Sequence, residues 1–161
     1  YLYHIPPMAK VGWPVPLVER LVAEYPATVV GIKDSSGDWA SIAGWMRRLP
    51  GFAVFPGSEL YFLDALRLGA AGCIAAPGNI NAHGLRRVWD LRGAQAEADA
   101  AQATVSSVRR AIQAQPMIPA MRRVVARRTG DAAWALPRPP LRRLDDASAA
   151  TLFAALDAAG L

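Results

Sequence analysis

Four short apolar runs, near residues 1–5, 28–33, 52–56 and 71–75, alternate one for one with stretches whose apolar residues recur at helical spacing. That alternation restricts the chain more than any other feature. Runs this short and this apolar suit strands buried on both faces of a sheet, and a helix between successive strands forces a crossover and therefore parallel pairing. The first run stops at Pro6 and Pro7, where the backbone loses its ladder donor. Leu17, Val18, Leu21, Val22 and Tyr25 then mark a helix that Pro26 ends, and Trp39, Ile42, Met46 and Leu49 mark a second. Leu60, Leu63 and Leu66 mark a third. Beyond Asn79 the strand pattern does not return. Helices are predicted near residues 80–92, 94–115, 117–129 and 147–159, punctuated by Pro116, Pro119 and the proline-rich loop 136–140.

The fold class is α/β. Parallel strands with intervening helices belong either to an open doubly wound sheet or to part of a closed barrel, and periodicity does not choose between them. An open dinucleotide-binding sheet favours a G-x-G-x-x-G turn after its first strand, and none is present. The organisation predicted is a strand–helix segment over residues 1–92 and a helical region over 93–161.

With 161 residues, 53% of them hydrophobic and 19% charged, the chain can bury a sizeable core and does not have the composition of a disordered protein. Cys73 is the single cysteine, so an internal disulfide is excluded. No stretch has the length and apolarity of a membrane helix or the layout of a signal peptide, and a cytoplasmic setting is expected. A net charge of +5 invites a nucleic-acid reading, but the arginines fall in pairs at 47–48, 86–87, 109–110, 122–123, 127–128 and 142–143. These pairs recur on predicted helices without interleaved aromatics, the pattern of solvated helix faces rather than of a nucleic-acid surface.

The lysines say more. Only Lys10 and Lys33 are lysine among 18 basic residues, so positive charge alone is supplied by arginine. Lys33 sits at the end of an apolar strand, where desolvation would favour the neutral, nucleophilic amine; such an amine attacks a ketone to form an imine that stabilises an adjacent carbanion. A lysine that reaches solvent or pairs with Asp34 or Asp38 accounts for the same position without chemistry. Tyr3 lies near the end of the preceding strand, and neighbouring parallel strands end on one face, so its phenol can serve there as a general acid/base. It can equally be a core tyrosine. His4 points to the opposite face and reads as structural. With His4, His83 and one cysteine there is no metal-ligand cluster and no nucleophile–His–Asp arrangement. Two further strand ends, around Gly57 and Ser58 and around Cys73 to Asn79, are rich in small residues, which suits ligand approach and ordinary turns alike.

Tyr3-His-Ile-Pro6, followed 30 residues after Tyr3 by Gly31-Ile-Lys33-Asp34, resembles the dihydrodipicolinate synthase/N-acetylneuraminate lyase family of class I aldolases. The likeness extends through the Gly57-Ser58 strand end, the run around residues 72–75, Ile118-Pro119 opening a helix, and the proline-rich loop before the last helix. It implies a (β/α)8 TIM barrel, of which this chain would supply strands five to eight, followed by a helical C-terminal region, and a homotetramer. It also implies Lys33 as the Schiff-base lysine, Tyr3 as the proton relay, and Ile74 as the residue whose backbone lies near the bound oxo acid. Gly57 and Ser58 would meet the distal part of the second substrate. No metal or organic cofactor is implied; the partners expected are a 2-oxo acid such as pyruvate and an aldehyde.

Two departures qualify this. Family synthases carry an arginine two residues after the Tyr-x-x-Pro proline, where this chain has Met8, with Lys10 nearby. The chain also begins at what would be strand five, so the expectation is either a longer protein or a half barrel completed by another chain. The expected function is a lyase or aldolase acting through a Lys33 imine. The alternatives are a noncatalytic half-barrel module and a Schiff-base sugar-acid dehydratase.

Overall fold

The computed structural model describes residues 1–161 and places the first three apolar runs side by side. Strands β1 (Leu2–His4), β2 (Gly31–Asp34) and β3 (Ala53–Pro56) form a parallel sheet in the order β1-β2-β3. Leu2, Tyr3 and His4 pair with Ile32, Lys33 and Asp34, which pair in turn with Val54, Phe55 and Pro56. Because side chains alternate across a strand, the first and third member of each of these triplets share one face and the middle member takes the other. The first face is buried: Ile32, Val54 and Asp34 are wholly inaccessible.

The cover comes from helices whose ends are written in the sequence. Helix α1 (Pro6–Ala9) is a short turn where no helix was expected, closed by Lys10 in the left-handed region at φ 62°. Helix α2 (Val15–Glu24) starts after Pro14 with Pro16 in its first turn, where the missing N–H costs nothing. Helix α3 (Trp39–Arg48) is capped by Asp38, whose carboxylate accepts from the Ala40 N–H, and ends on Arg47 and Arg48 beside its exposed carbonyls. Val18 of α2 and Ile42 and Trp45 of α3 pack with Ile32, Phe52 and Val54 into one core. A one-turn 3-10 helix (Glu59–Tyr61) runs into α4 (Phe62–Arg67).

The fourth predicted strand, near residues 71–75, does not form as a strand. Ala71 donates to the Val54 carbonyl and Ile74 to the Pro56 carbonyl. Three residues on one side thus span two on the other, a bulge that breaks the ladder at Gly72 and Cys73. Gly72 adopts φ 159° against the ring of Phe55.

By packing, the chain divides into Tyr1–Ala76 and Pro77–Leu161. Helix α5 (Ala82–Leu91), placed above with the strand–helix segment, therefore packs with the C-terminal helices α6 (Gln95–Gln113), α7 (Met117–Thr129) and α8 (Asp146–Ala158). Gly130 ends α7 in the left-handed region at φ 70°, and Asp145 caps α8 by accepting from the Ser148 N–H. Val108, Ile112, Val124, Leu152 and Leu156 form the core of this unit. No helix is long and apolar enough to cross a membrane.

Ile32→Ala should lower the unfolding free energy by about 2–5 kcal/mol, the usual cost of emptying a fully buried aliphatic site. Tyr3→Phe, on the open face, should change it by less than about 0.5 kcal/mol. Urea unfolding of the two variants checks the contrast.

Candidate active site

The middle residue of each paired triplet faces away from the helical cover, so the face opposite the core carries Tyr3, Lys33 and Phe55 in one row. Tyr3 is 48% exposed and Lys33 half-buried. The Lys33 Nζ donates to the Tyr3 hydroxyl at 3.2 Å and sits 4.2 Å from the centroid of its ring. Two residues separated by 30 positions are thus in direct contact because both occupy the same level of adjacent parallel strands. Tyr1 extends the row, its ring meeting that of Phe55 edge-on at a centroid distance of 5.6 Å. Gly31 has no side chain because the Tyr1 ring and the Ala53 carbonyl occupy the space a methyl would need.

The phenol of Tyr3 is held below the ordinary tyrosine range. The Ser35 hydroxyl, as a hydrogen-bond partner, is the main cause; partial burial opposes it, and the hydrogen bond and positive charge of Lys33 add to the lowering. Ser35 is a residue the sequence analysis passed over. Its position depends on Gly57: the Ser35 Oγ fills the space a side chain at 57 would take, and the Gly57 N–H donates to the Asp34 carbonyl at 2.6 Å. Gly57 therefore belongs to this end of the sheet through the room it leaves.

Asp34 holds the same strand end from the other face. Its buried carboxylate accepts from the Ser36 N–H at 2.8 Å, the Ser41 hydroxyl at 2.7 Å and the Trp45 indole N–H at 2.8 Å. These donors occupy Asp34, and Lys33 turns instead to Tyr3. His4 is structural in its contacts: its Nδ1 accepts from the Trp13 N–H at 3.0 Å, and its ring meets Trp45 edge-on. Trp13 also donates its indole N–H to the Tyr3 carbonyl at 3.0 Å, which fixes the backbone behind the phenol.

Ser58 caps the 3-10 helix, its hydroxyl accepting from the Leu60 N–H. Ile74 is 46% exposed, with its N–H bonded to the Pro56 carbonyl. Met8 is 76% exposed, and Lys10 donates to the Pro7 carbonyl at 3.1 Å. No three His, Cys, Asp or Glu side chains come together as a metal site.

A parallel strand–helix segment with its polar groups at the strand ends is the architecture of a (β/α)8-barrel protein, and the solved structures like this chain are of that kind. One, a crystal structure titled as a putative dihydrodipicolinate synthase from Thermus thermophilus, superposes with TM-score 0.81 at 32% identity over 99% of this chain and 56% of its own. A prophage protein of the dihydrodipicolinic acid synthase family from E. coli K12 shares the fold with TM-score 0.89 at 22% identity, over 99% of this chain and 55% of its own. An uncharacterized DapA-like lyase of Chloroflexus aurantiacus is 32% identical over 97% of this chain and 52% of its own length. The chain belongs to the dihydrodipicolinate synthetase family, whose model matches residues 1–159, and it spans about half the length of these relatives.

The lowered phenol is directly measurable. Hydrogen bonds and a neighbouring cation favour the charged phenolate, so at any pH below 10 more phenolate is present than in a free tyrosine. In a difference titration of tyrosinate absorbance between the native chain and Tyr3→Phe, the missing component should ionise below pH 10. Ser35→Ala and Lys33→Gln should each move that component upward.

Proposed function

We propose that this chain supplies strands five to eight and the C-terminal helical region of a (β/α)8-barrel lyase that holds a 2-oxo acid as an imine on Lys33. The contact of Lys33 Nζ with the Tyr3 hydroxyl carries the reading: it pairs an amine with a phenol of enhanced acidity on the open face of the sheet. Family membership supports lyase chemistry, and the E. coli relative was solved in complex with pyruvate.

In the proposed reaction the Lys33 amine adds to the ketone of the oxo acid, and loss of water leaves a protonated imine. The Tyr3 phenolate takes the proton of a substrate hydroxyl. The carbon–carbon bond breaks, its electron pair passes toward the iminium nitrogen, and an aldehyde leaves the enamine behind. Tyr3 returns the proton to the enamine carbon, and water hydrolyses the imine to free the oxo acid and the amine. The same steps reversed make the bond. Ile74, Gly57 and Ser58 line the substrate path in this reading, Gly57 by keeping Ser35 against the phenol.

The exposed Met8 and the engagement of Lys10 with a carbonyl leave no cation where family synthases carry a carboxylate-binding arginine. Aldol cleavage or formation is therefore favoured over the synthase reaction. The chemistry needs no cofactor, and a homotetramer is part of the same proposal.

Borohydride reduction of the native protein carrying this chain, in the presence of pyruvate, should convert the imine to a stable secondary amine on Lys33, located by peptide mass spectrometry. An adduct on Lys10, or none with any 2-oxo acid, refutes the nucleophile. In the same protein Tyr3→Phe should lower turnover roughly 10²–10⁴-fold while sparing imine trapping. Undiminished turnover removes Tyr3 from the mechanism.

A further inference from the structure

The arginines of the C-terminal unit are not all solvated surface. A cleft of about 360 Å³ is lined by Arg123 and Arg127 of α7, by Arg143 and by Phe153 of α8, with Ala126, Gly130, Ala132 and Ala135 completing its walls. None of these residues takes part in the Tyr3–Lys33 site.

The charges around the cleft do not balance. Asp146 accepts from both Arg123 and Arg143 on a single carboxylate oxygen, at 2.7 and 2.9 Å, and Asp157 accepts from Arg127 at 2.7 Å. Three guanidinium groups therefore meet two carboxylates, and Asp146 is shared end-on rather than held by either arginine as a two-pronged pair. The Arg123 side chain is 17% exposed, and its Nε is buried without a hydrogen-bond partner. A buried donor with no acceptor beside surplus positive charge is a site short of an oxyanion. The apolar part of the wall is also defined: Phe153 lies under the Arg127 guanidinium at 4.7 Å, and the alanines and Gly130 leave space a larger side chain would fill.

We propose that this cleft binds a small phosphorylated anion. Three guanidinium groups suit the three terminal oxygens of a phosphate, guanidinium being the side chain whose fork matches phosphate two bonds at a time. The alanine and Phe153 wall accepts a short organic substituent.

The probes are inorganic phosphate and glycerol phosphate, titrated into the native chain at fixed ionic strength by calorimetry while the arginine Nε–H resonances are followed by NMR. Saturable binding with a shift of the Arg123 Nε–H signal is expected, and glycerol phosphate should bind more tightly than inorganic phosphate if the apolar wall contributes. Arg127→Gln and Arg143→Gln should each weaken binding about tenfold or more, the scale of a charge-assisted hydrogen bond. Arg143→Lys, which keeps the charge and loses the fork, should weaken it too and guards against a folding defect. Arg86→Gln, whose partner is Asp90 within α5, should leave binding unchanged. The absence of saturable binding, an equal response to chloride, preference for acetate or citrate over phosphate, or equal loss in Arg86→Gln would each overturn the assignment.

Discussion

One buried carboxylate organises the sheet's working end. Asp34 is wholly inaccessible, and its two oxygens take three donors, from the turn after β2 and from Ser41 and Trp45 of α3. An ionised group removed from water is tolerated only when such charge-assisted bonds satisfy it. The network therefore fixes both the last residue of β2 and the position of α3 against it. Once Asp34 is committed to the core, strand alternation sends Lys33 to the opposite face at the level of Tyr3. The contact between amine and phenol follows from an acid that never touches either.

The two compact units treat charge differently. In the first, the polar groups that matter lie along a strand end, and their spacing is dictated by the sheet. In the second, helices bury Val108, Ile112 and Leu152 in their own core, and arginines at helical intervals gather around carboxylates from another segment. Ladder register places Tyr3 by Lys33. Side-chain reach across helix surfaces places Arg123 and Arg143 on Asp146.

Much of the architecture was legible because its signals are local. Proline stops and helical spacing gave α2, α3 and α5 through α8 nearly to the residue, and three of the four apolar runs became strands. The fourth run has the composition of a strand, but a single extra residue between two backbone bonds spoils its ladder, and no residue type announces that bulge. Tyr3 and Lys33 could be paired in advance because parallel strands end together. Ser35 and Asp34 could not be read in the same way. A carboxylate beside a lysine reads as an ion pair, and its true side-chain donors stand 7 and 11 residues further on. The arginine pairs read as solvated faces, a pattern blind to the enclosure of Arg123.

Gly57 gives the sheet an economical form of control. It brings no proton, charge or side-chain hydrogen bond, yet any larger residue there would collide with the Ser35 backbone and hydroxyl. The phenol would lose its strongest acidifying neighbour while every titratable side chain stayed in the sequence. A purely steric change would then register as an altered ionisation curve. In a survey of variants, position 57 would look like an electrostatic residue, although its influence on the chemistry comes from the space it leaves empty.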